Sequence, residues 1–197
     1  MRTVLVPVIL FFLIFPLQAQ LSLKDGDTVA LVGGTFIERE AHYSFIETAL
    51  TLASPGKKLT FRNFGWSGDT VKGESRGYFN PDGYKDLLKR VTEVKPTVIF
   101  LAYGGNAAWE GKAGLEQFKK DYNRLITDLS GQTKARFILI TPLMQENMGS
   151  PYPDPSEYNR NVAEYAAAVK EIASSHKLSL IDLHSKFPLK ENTYGIG

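Results

Sequence analysis

Apolar runs with the length of β-strands alternate along this chain with segments that have helical spacing. Residues 97–102 form a continuous apolar run, which is typical of a strand covered on both faces of its sheet. Strands and helices that alternate in this way predict a doubly wound parallel sheet of the α/β class. The predicted strands are residues 28–32, 59–64, 97–102, 137–141 and 178–183, and the predicted helices are residues 43–53, 84–94, 115–129 and 156–176. Pro155 precedes the last helix, and Ser156 is its expected N-cap.

The N-terminus has the pattern of a secretory signal peptide. A basic start at Met1-Arg2 is followed by an almost wholly apolar run at residues 4–17 and then by Ala19, a small residue suited to the cleavage site. Two prolines interrupt the run, which is also shorter than the ~20 residues that a spanning helix needs. We therefore expect residues 1–19 to be a signal peptide rather than a membrane anchor. Residues 20–197 then have the size of one domain, which we expect to be secreted or periplasmic.

The composition argues against several classes of function. The formal net charge is +2 and no block of like charge stands out, so neither nucleic acid nor an anionic membrane is an expected partner. The chain has no cysteine, which excludes disulfides and thiolate chemistry. No closely spaced histidines suggest zinc, and Gly33-Gly34 lacks the glycine spacing of a dinucleotide loop and the lysine of a phosphate loop. We therefore expect neither a metal nor an organic cofactor.

Three short polar motifs follow three of the predicted strands. Gly33-Gly34-Thr35 follows the first strand, residues 65–70 (Gly-Trp-Ser-Gly-Asp-Thr) follow the second, and Gly104-Gly105-Asn106 follows the third. Parallel strands bring their carboxyl ends to one edge of the sheet, so the three turns can converge on one pocket. The polar loop at residues 144–155, which contains three prolines, is expected to border the same pocket.

The order and residue types of these motifs resemble those of the SGNH hydrolases, the family also called GDSL esterases and lipases. Residues 63–70 are similar to the family's Asn-x-Gly-x-Ser-Gly-Asp-Thr block. The resemblance extends over about residues 25–197 and implies a three-layer α/β/α sandwich with a parallel, flavodoxin-like sheet. It also implies an ester hydrolase that acts on a small-molecule, glycan or lipid ester without a cofactor.

The resemblance assigns a role to one residue in each motif. Thr35 stands where the family has its nucleophilic serine, Gly68 where a backbone N–H binds the oxyanion, and Asn106 where a side-chain amide is the second donor. Gly34 and Ala107 replace two acidic residues of the family pattern. A threonine hydroxyl can attack a carbonyl, although its extra methyl group restricts the side chain and crowds the attack. Each motif also has a simpler interpretation, because all three resemble ordinary turns.

The family's fourth block, Asp-x-x-His, supplies the general base, and this chain departs from it. Tyr194 and Gly197 stand at the positions of the aspartate and the histidine, and the family's last helix is absent. His184, at the end of the fifth predicted strand, is an alternative base with a different spacing, whereas His42 and His176 are expected to be structural or surface residues. A truncated chain would also explain the departure.

Two functions therefore remain open. The first is a secreted hydrolase that acts on a carboxylic ester, acetyl or acyl group. The second is a catalytically inactive domain of the same fold that binds a glycan or acyl ligand.

Five further residues near the motifs have expected roles. Asp69 and Thr70 are expected to brace their loop through hydrogen bonds to nearby N–H groups. Trp66 is expected either to form a wall of the pocket or to pack in the core. Trp109 and Glu110 lie just beyond the third motif and are candidates for contact with the substrate.

Overall fold

The computed structural model describes residues 23–79 and 81–186, and within them the chain forms one five-stranded sheet. The strands lie in the order β2-β1-β3-β4-β5, and every neighbouring pair is parallel. In chain order they are β1 (Thr28–Gly33), β2 (Thr60–Gly65), β3 (Val98–Ala102), β4 (Arg136–Ile140) and β5 (Ser179–Ile181). This is the flavodoxin-like order, so the predicted α/β class and parallel sheet are confirmed.

Helices cover both faces of this sheet. Those of the described residues are α1 (Thr35–Tyr43), α2 (Phe45–Leu52), α3 (Glu74–Phe79), α4 (Gly83–Glu93), a 3-10 helix (Ala107–Glu110), α5 (Gly111–Gln132), α6 (Ser156–Ser175) and α7 (Leu183–Lys186). Helices α4, α5 and α6 pack on one face through residues such as Leu87, Leu125 and Val162. Helices α1 and α2 pack on the other face, around the buried Ile37. The result is the three-layer arrangement that the resemblance implied.

Strand β3 shows how the sheet is covered. Ile99 and Leu101 belong to the apolar cluster formed with α4, α5 and α6, whereas Val98 and Phe100 belong to the cluster on the opposite face. This alternation follows from the two-residue period of a strand. All four side chains are fully buried, as the continuous apolar run predicted.

Strand β1 fixes the level at which the neighbouring turns begin. Its last residue, Gly33, is paired with Gly65 at the end of β2 and with Ala102 at the end of β3. The three strands therefore end side by side at one edge of the sheet. Gly65 also lets α1 approach β2, because a Cβ atom on this residue would lie only 2.2 Å from the backbone nitrogen of Glu38. Helix α1 thus packs directly against the end of β2, with its first residue, Thr35, at the sheet edge.

The helix predicted at residues 43–53 differs from the observed structure. Two helices lie in this region, because Ser44 has a left-handed backbone conformation (φ 55°) that separates α1 from α2. The start of α1 at Thr35 was missed because this helix buries little apolar surface, with Ile37 its one buried apolar residue. Helix α3 was missed as well, since six residues are too few to show a helical period.

The N-cap prediction for α6 was wrong. Ser156 is the first helical residue rather than the cap. Its N–H and its hydroxyl group both donate to Oδ1 of Asp154, at 2.9 and 2.6 Å. An aspartate two residues earlier therefore accepts the first free N–H of this helix, which is the task expected of Ser156.

Some expectations concern residues outside the described ranges. The predicted signal peptide (residues 1–19) lies there, as do Tyr194 and Gly197, the two positions of the altered acid–base block. Within the described ranges, no helix combines the length and the apolar character needed to cross a membrane.

We expect Gly65→Ala to lower the free energy of unfolding by about 3 kcal/mol or more, because the new methyl group would overlap backbone atoms of α1 that cannot move independently. Gly131→Ala is the matched control. It lies in α5 with no atom within 4 Å of its added Cβ, and we expect it to gain about 0.5–1 kcal/mol. Urea unfolding followed by circular dichroism measures both. Equal stability of the two variants would contradict the close packing of α1 on β2.

Candidate active site

The turns that follow β1, β2, β3 and β4 meet around one cavity of about 280 Å³. The first turn contributes Thr35, the second Asp69, the third Asn106 and the fourth Thr141. The predicted convergence of the three polar motifs is thus present in the structure. The loop at residues 144–155 also borders the cavity, through Gln145.

Thr35 and Gly68 are in direct contact. Thr35 is the first residue of α1, and its Oγ1 accepts a hydrogen bond from the backbone N–H of Gly68 at 2.9 Å. The positive end of the α1 dipole lies at this hydroxyl group, where it favours negative charge. Gly68 has a left-handed backbone (φ 73°), which a glycine adopts without strain. This conformation holds its N–H toward the threonine side chain.

The side chain of Asn106 lies beside the same glycine. A Cβ atom built on Gly68 would lie 3.6 Å from Nδ2 of Asn106. Asn106 stands at the N-cap of the 3-10 helix, but its side chain makes no capping hydrogen bond. The Asn106 side chain is therefore not used to cap this helix. The structure brings together all three residues to which the resemblance assigned roles.

A buried ion pair anchors the loop that carries Gly68. Nε of Arg76 lies 2.6 Å from Oδ2 of Asp69, and Nη2 of the same guanidinium donates to the carbonyl oxygen of Phe64 in β2. The Asp69 side chain is completely buried. Burial raises the pKa of its carboxyl group, while the charge and hydrogen bonds of Arg76 oppose that rise. The guanidinium thus ties the loop to the end of β2.

Hydroxyl groups brace the rest of this loop. Oγ1 of Thr70 accepts a hydrogen bond from the N–H of Lys72 at 3.3 Å and donates to the carboxylate of Glu74 at 2.9 Å. Oγ of Ser75 donates to the carbonyl oxygen of Ser67 at 2.8 Å. The bracing predicted for Asp69 and Thr70 is therefore present. The signal for Arg76, a cation seven residues after the aspartate, was not recognised in the sequence.

No described histidine lines the cavity. His184 follows β5, and its backbone N–H donates to Oγ1 of Thr141 at 3.0 Å. Burial and the charge of Lys170 lower the pKa of its imidazole, while Asp182 opposes this change. His42 is exposed and 3.6 Å from Glu38, and His176 contacts Asn123 at 2.6 Å. The structure therefore places His184 next to a wall residue of the cavity but not in the cavity itself.

Other polar groups near Thr35 are poor proton acceptors. Tyr103 lines the cavity, but burial raises the pKa of its phenol strongly, and its hydroxyl group is shielded from solvent. The carboxylate of Asp69 is equally shielded and is engaged by Arg76. Among the residues that the structure describes, no group of three or more histidine, aspartate or glutamate side chains is arranged to hold a metal ion.

Two aromatic residues next to the motifs have different positions. Trp109 lines the cavity, where its ring lies against Tyr158 of α6. Trp66 is not among the lining residues, and the guanidinium carbon of Arg76 lies 5.4 Å from the centre of its ring. Glu110 lies 3.8 Å from Nζ of Lys72 and does not line the cavity either. The sequence did not indicate Tyr158 as a lining residue, because it comes from a distant helix. Thr141 was missed as well, and its position directly after β4 was the one signal that could have indicated it.

Residues 40–194 match the model of the GDSL-like Lipase/Acylhydrolase family. The match includes Gly68 and Asn106 and begins after Thr35. No curated protein matches the sequence.

Solved structures with the same fold include proteins described as esterases and as a lipase/acylhydrolase. The acetylxylan esterase Axe2 from Geobacillus stearothermophilus is 19% identical with a TM-score of 0.61, over 83% of this chain and 78% of that chain. A lipase/acylhydrolase from Enterococcus faecalis is 20% identical with a TM-score of 0.60, over 82% and 78% of the two chains. The psychrotrophic esterase EstA from Pseudoalteromonas sp. is 14% identical with a TM-score of 0.56, over 80% and 77%.

We expect Arg76→Met to lower the free energy of unfolding by about 3–5 kcal/mol at pH 7, because it leaves the Asp69 carboxylate buried without its partner. Loss of the guanidinium raises the folded-state pKa of Asp69 further above its unfolded value. The destabilising effect of such a carboxyl group is complete above its folded pKa and declines as the pH falls toward its unfolded pKa, so the deficit relative to wild type shrinks as the pH falls from 7 to 5.

Arg90→Met is the matched control, because Nε of Arg90 lies at the same 2.6 Å from Oδ2 of Asp86 but on an exposed helix surface. We expect this variant to lose no more than about 1 kcal/mol. Urea unfolding of both variants and the wild type at pH 5 and 7 provides the comparison. A deficit for Arg76→Met that does not change with pH would contradict the role given to Asp69.

Proposed function

Because the chain belongs to the GDSL-like lipase/acylhydrolase family, we propose that it hydrolyses a carboxylic ester with Thr35 as the nucleophile. One observation carries this proposal. The Thr35 hydroxyl contacts the N–H of Gly68, and the amide of Asn106 lies next to that glycine. A hydroxyl group beside two N–H donors supplies the nucleophile and the oxyanion donors that acyl transfer to an enzyme requires.

In this mechanism the Oγ1 atom of Thr35 forms a bond to the ester carbonyl carbon, and its proton passes to a base. The carbonyl oxygen becomes negative and accepts hydrogen bonds from the Gly68 N–H and the Asn106 amide. The dipole of α1 favours the same charge. The C–O bond to the alcohol then breaks, and the alcohol leaves with a proton. Water attacks the acyl-threonine, which releases the carboxylic acid and restores the hydroxyl group.

The cavity can hold a short acyl group. An acetyl group fits within its volume of about 280 Å³. We therefore propose an acetyl or similarly short ester as the substrate. The descriptions of several structural neighbours as acetylxylan esterases support this choice. The signal-peptide pattern of residues 1–19 supports secretion or export to a periplasm as its place of action.

The second candidate is a domain that binds a glycan or acyl ligand without hydrolysing it. It is favoured by the absence of a histidine from the cavity walls within residues 23–79 and 81–186. The same cavity and the same donors would then bind an ester carbonyl without forming a covalent bond to it.

We expect Thr35→Ala to lower kcat/KM for ethyl acetate by at least about 100-fold, because the attacking oxygen is removed. Thr35→Ser is the matched control. It keeps the hydroxyl group and removes the crowding methyl group, so it retains activity or exceeds the wild type. Unchanged activity of Thr35→Ala would exclude Thr35 as the nucleophile.

Asn106→Ala and the isosteric Asn106→Asp each remove an amide donor from the oxyanion. We expect kcat to fall by about 100- to 1000-fold, with little change in KM, since the lost hydrogen bond matters most in the transition state. Steady-state kinetics on ethyl acetate separates the two constants. A rise in KM with kcat unchanged would assign Asn106 to ordinary substrate binding.

We expect added imidazole to increase ethyl acetate hydrolysis several-fold in the wild type but not in Thr35→Ala. A small external base can enter the cavity and accept the threonine proton, which no described histidine is placed to do. Rates at constant pH and ionic strength over a series of imidazole concentrations give the result. Absence of turnover at every imidazole concentration would favour the ligand-binding domain.

A further inference from the structure

A second depression, of about 740 Å³, opens directly from the cavity. Trp109, Gln145 and Tyr158 form the boundary, because they line both spaces. Tyr152 and Asn161 lie farther along its walls. We call this depression the aromatic groove. An ester whose carbonyl group lies beside Thr35 would extend its alcohol portion along such a groove.

The ring of Trp109 is exposed and yet held in place. Its side chain is 67% exposed, and its ring centre lies 4.4 Å from that of Tyr158. Tyr158 is buried, and its hydroxyl group donates to the carbonyl oxygen of Gly105 at 3.0 Å. Tyr152, which also lines the groove, is 57% exposed. Large apolar rings that are exposed to solvent, held in position and next to a cavity are typical of a binding surface.

The loop that lines the groove is also held in place. The side chain of Asn159 accepts a hydrogen bond from the backbone N–H of Gln145 and donates to its carbonyl oxygen, at 2.8 and 2.7 Å. The backbone N–H of Tyr152 donates to the carbonyl oxygen of Gly149 at 2.8 Å. These contacts tie the loop to α6 and to itself. A ligand would therefore find a preformed groove and lose little free energy in ordering it.

The charged residues that line the groove are all acidic. They are Glu146, Asp154 and Glu157, and within the described part of the chain no lysine or arginine lines it. Arg160 is near enough to lower the pKa of Asp154 but stands outside the lining. Carboxylates accept hydrogen bonds and repel anions. The groove thus suits a ligand that carries hydroxyl donors and no negative charge.

We propose that the aromatic groove binds a neutral sugar ring in the alcohol portion of the substrate, with the ring stacked on Trp109. A pyranose presents an apolar face of C–H groups that packs on an aromatic ring, and hydroxyl groups around its edge that donate to carboxylate and amide oxygens. This assignment deepens the proposed function by naming the class of ester, a short acyl ester of a neutral glycan. The binding of the sugar itself can be tested without any hydrolysis.

The chain contains two tryptophans, Trp66 and Trp109, which makes intrinsic fluorescence a direct probe. Xylotriose, a neutral trisaccharide without ester groups, is titrated into the wild type, Trp66→Phe and Trp109→Phe. We expect a saturable change in emission in the first two proteins and none in Trp109→Phe. Trigalacturonate, which has the same number of rings and three negative charges, is expected to cause no saturable change. A response that persists in Trp109→Phe, or equal binding of the anionic sugar, would overturn the assignment.

A kinetic experiment separates the groove from the catalytic residues. We expect Trp109→Ala to lower kcat/KM for acetylated xylotriose by about 3- to 10-fold, which corresponds to the loss of one aromatic contact. Trp109→Phe should recover part of that loss. On ethyl acetate, which does not extend into the groove, both variants should lose less activity than on acetylated xylotriose, although Trp109 also borders the cavity. Equal losses on both substrates would contradict the groove assignment.

The two experiments keep the inference distinct from the proposed function. Sugar binding by a chain that hydrolyses no ester would leave the groove assignment standing and refute the hydrolase. Hydrolysis of ethyl acetate without any response to xylotriose would leave the hydrolase standing and refute the groove assignment.

Discussion

Three parallel strands end at the same level of the sheet, because Gly33 is paired with Gly65 on one side and with Ala102 on the other. The hydroxyl group of Thr35, the N–H of Gly68 and the amide of Asn106 each follow one of these strand ends. A shift of one residue in either pairing would move a donor by the rise of a strand residue, about 3.3 Å, which exceeds the tolerance of a hydrogen bond. The register of β1 thus determines whether the three groups form one site.

The loop after β2 carries the N–H of Gly68, which no helix or strand holds in position. A buried ion pair does this instead. Arg76 binds the carboxylate of Asp69 and the carbonyl oxygen of Phe64, so one guanidinium fixes both ends of the loop around Gly68. Burying two charges is costly, and a pair of this kind adds little net stability compared with apolar residues. In the proposed mechanism its benefit lies in geometry, because the N–H of Gly68 has to be in place before the substrate binds.

The sequence was sufficient for the parts of the fold that depend on short-range patterns. The five strands, the parallel sheet and the convergence of the three motifs all follow from apolar runs and from the turn residues after them. The break at Ser44 could not be predicted, because a left-handed serine has no distinctive local pattern. The contacts of Arg76 and Tyr158 with the site were missed for another reason, since they depend on tertiary packing between segments far apart in the chain. The bracing carboxylate of Asp69 was predicted, but its partner was not.

The central claim is that Thr35 is a reactive hydroxyl group in an oxyanion site, and covalent labelling tests it most directly. The protein is incubated with an ethyl p-nitrophenyl phosphonate, and the modified residue is located by peptide mass spectrometry. A phosphonate attached to a hydroxyl group mimics the tetrahedral intermediate, so the adduct should form on Thr35 and should be lost when Asn106 is replaced by alanine. An adduct on another hydroxyl group with Thr35 unmodified, in protein that hydrolyses ethyl acetate, would contradict this account.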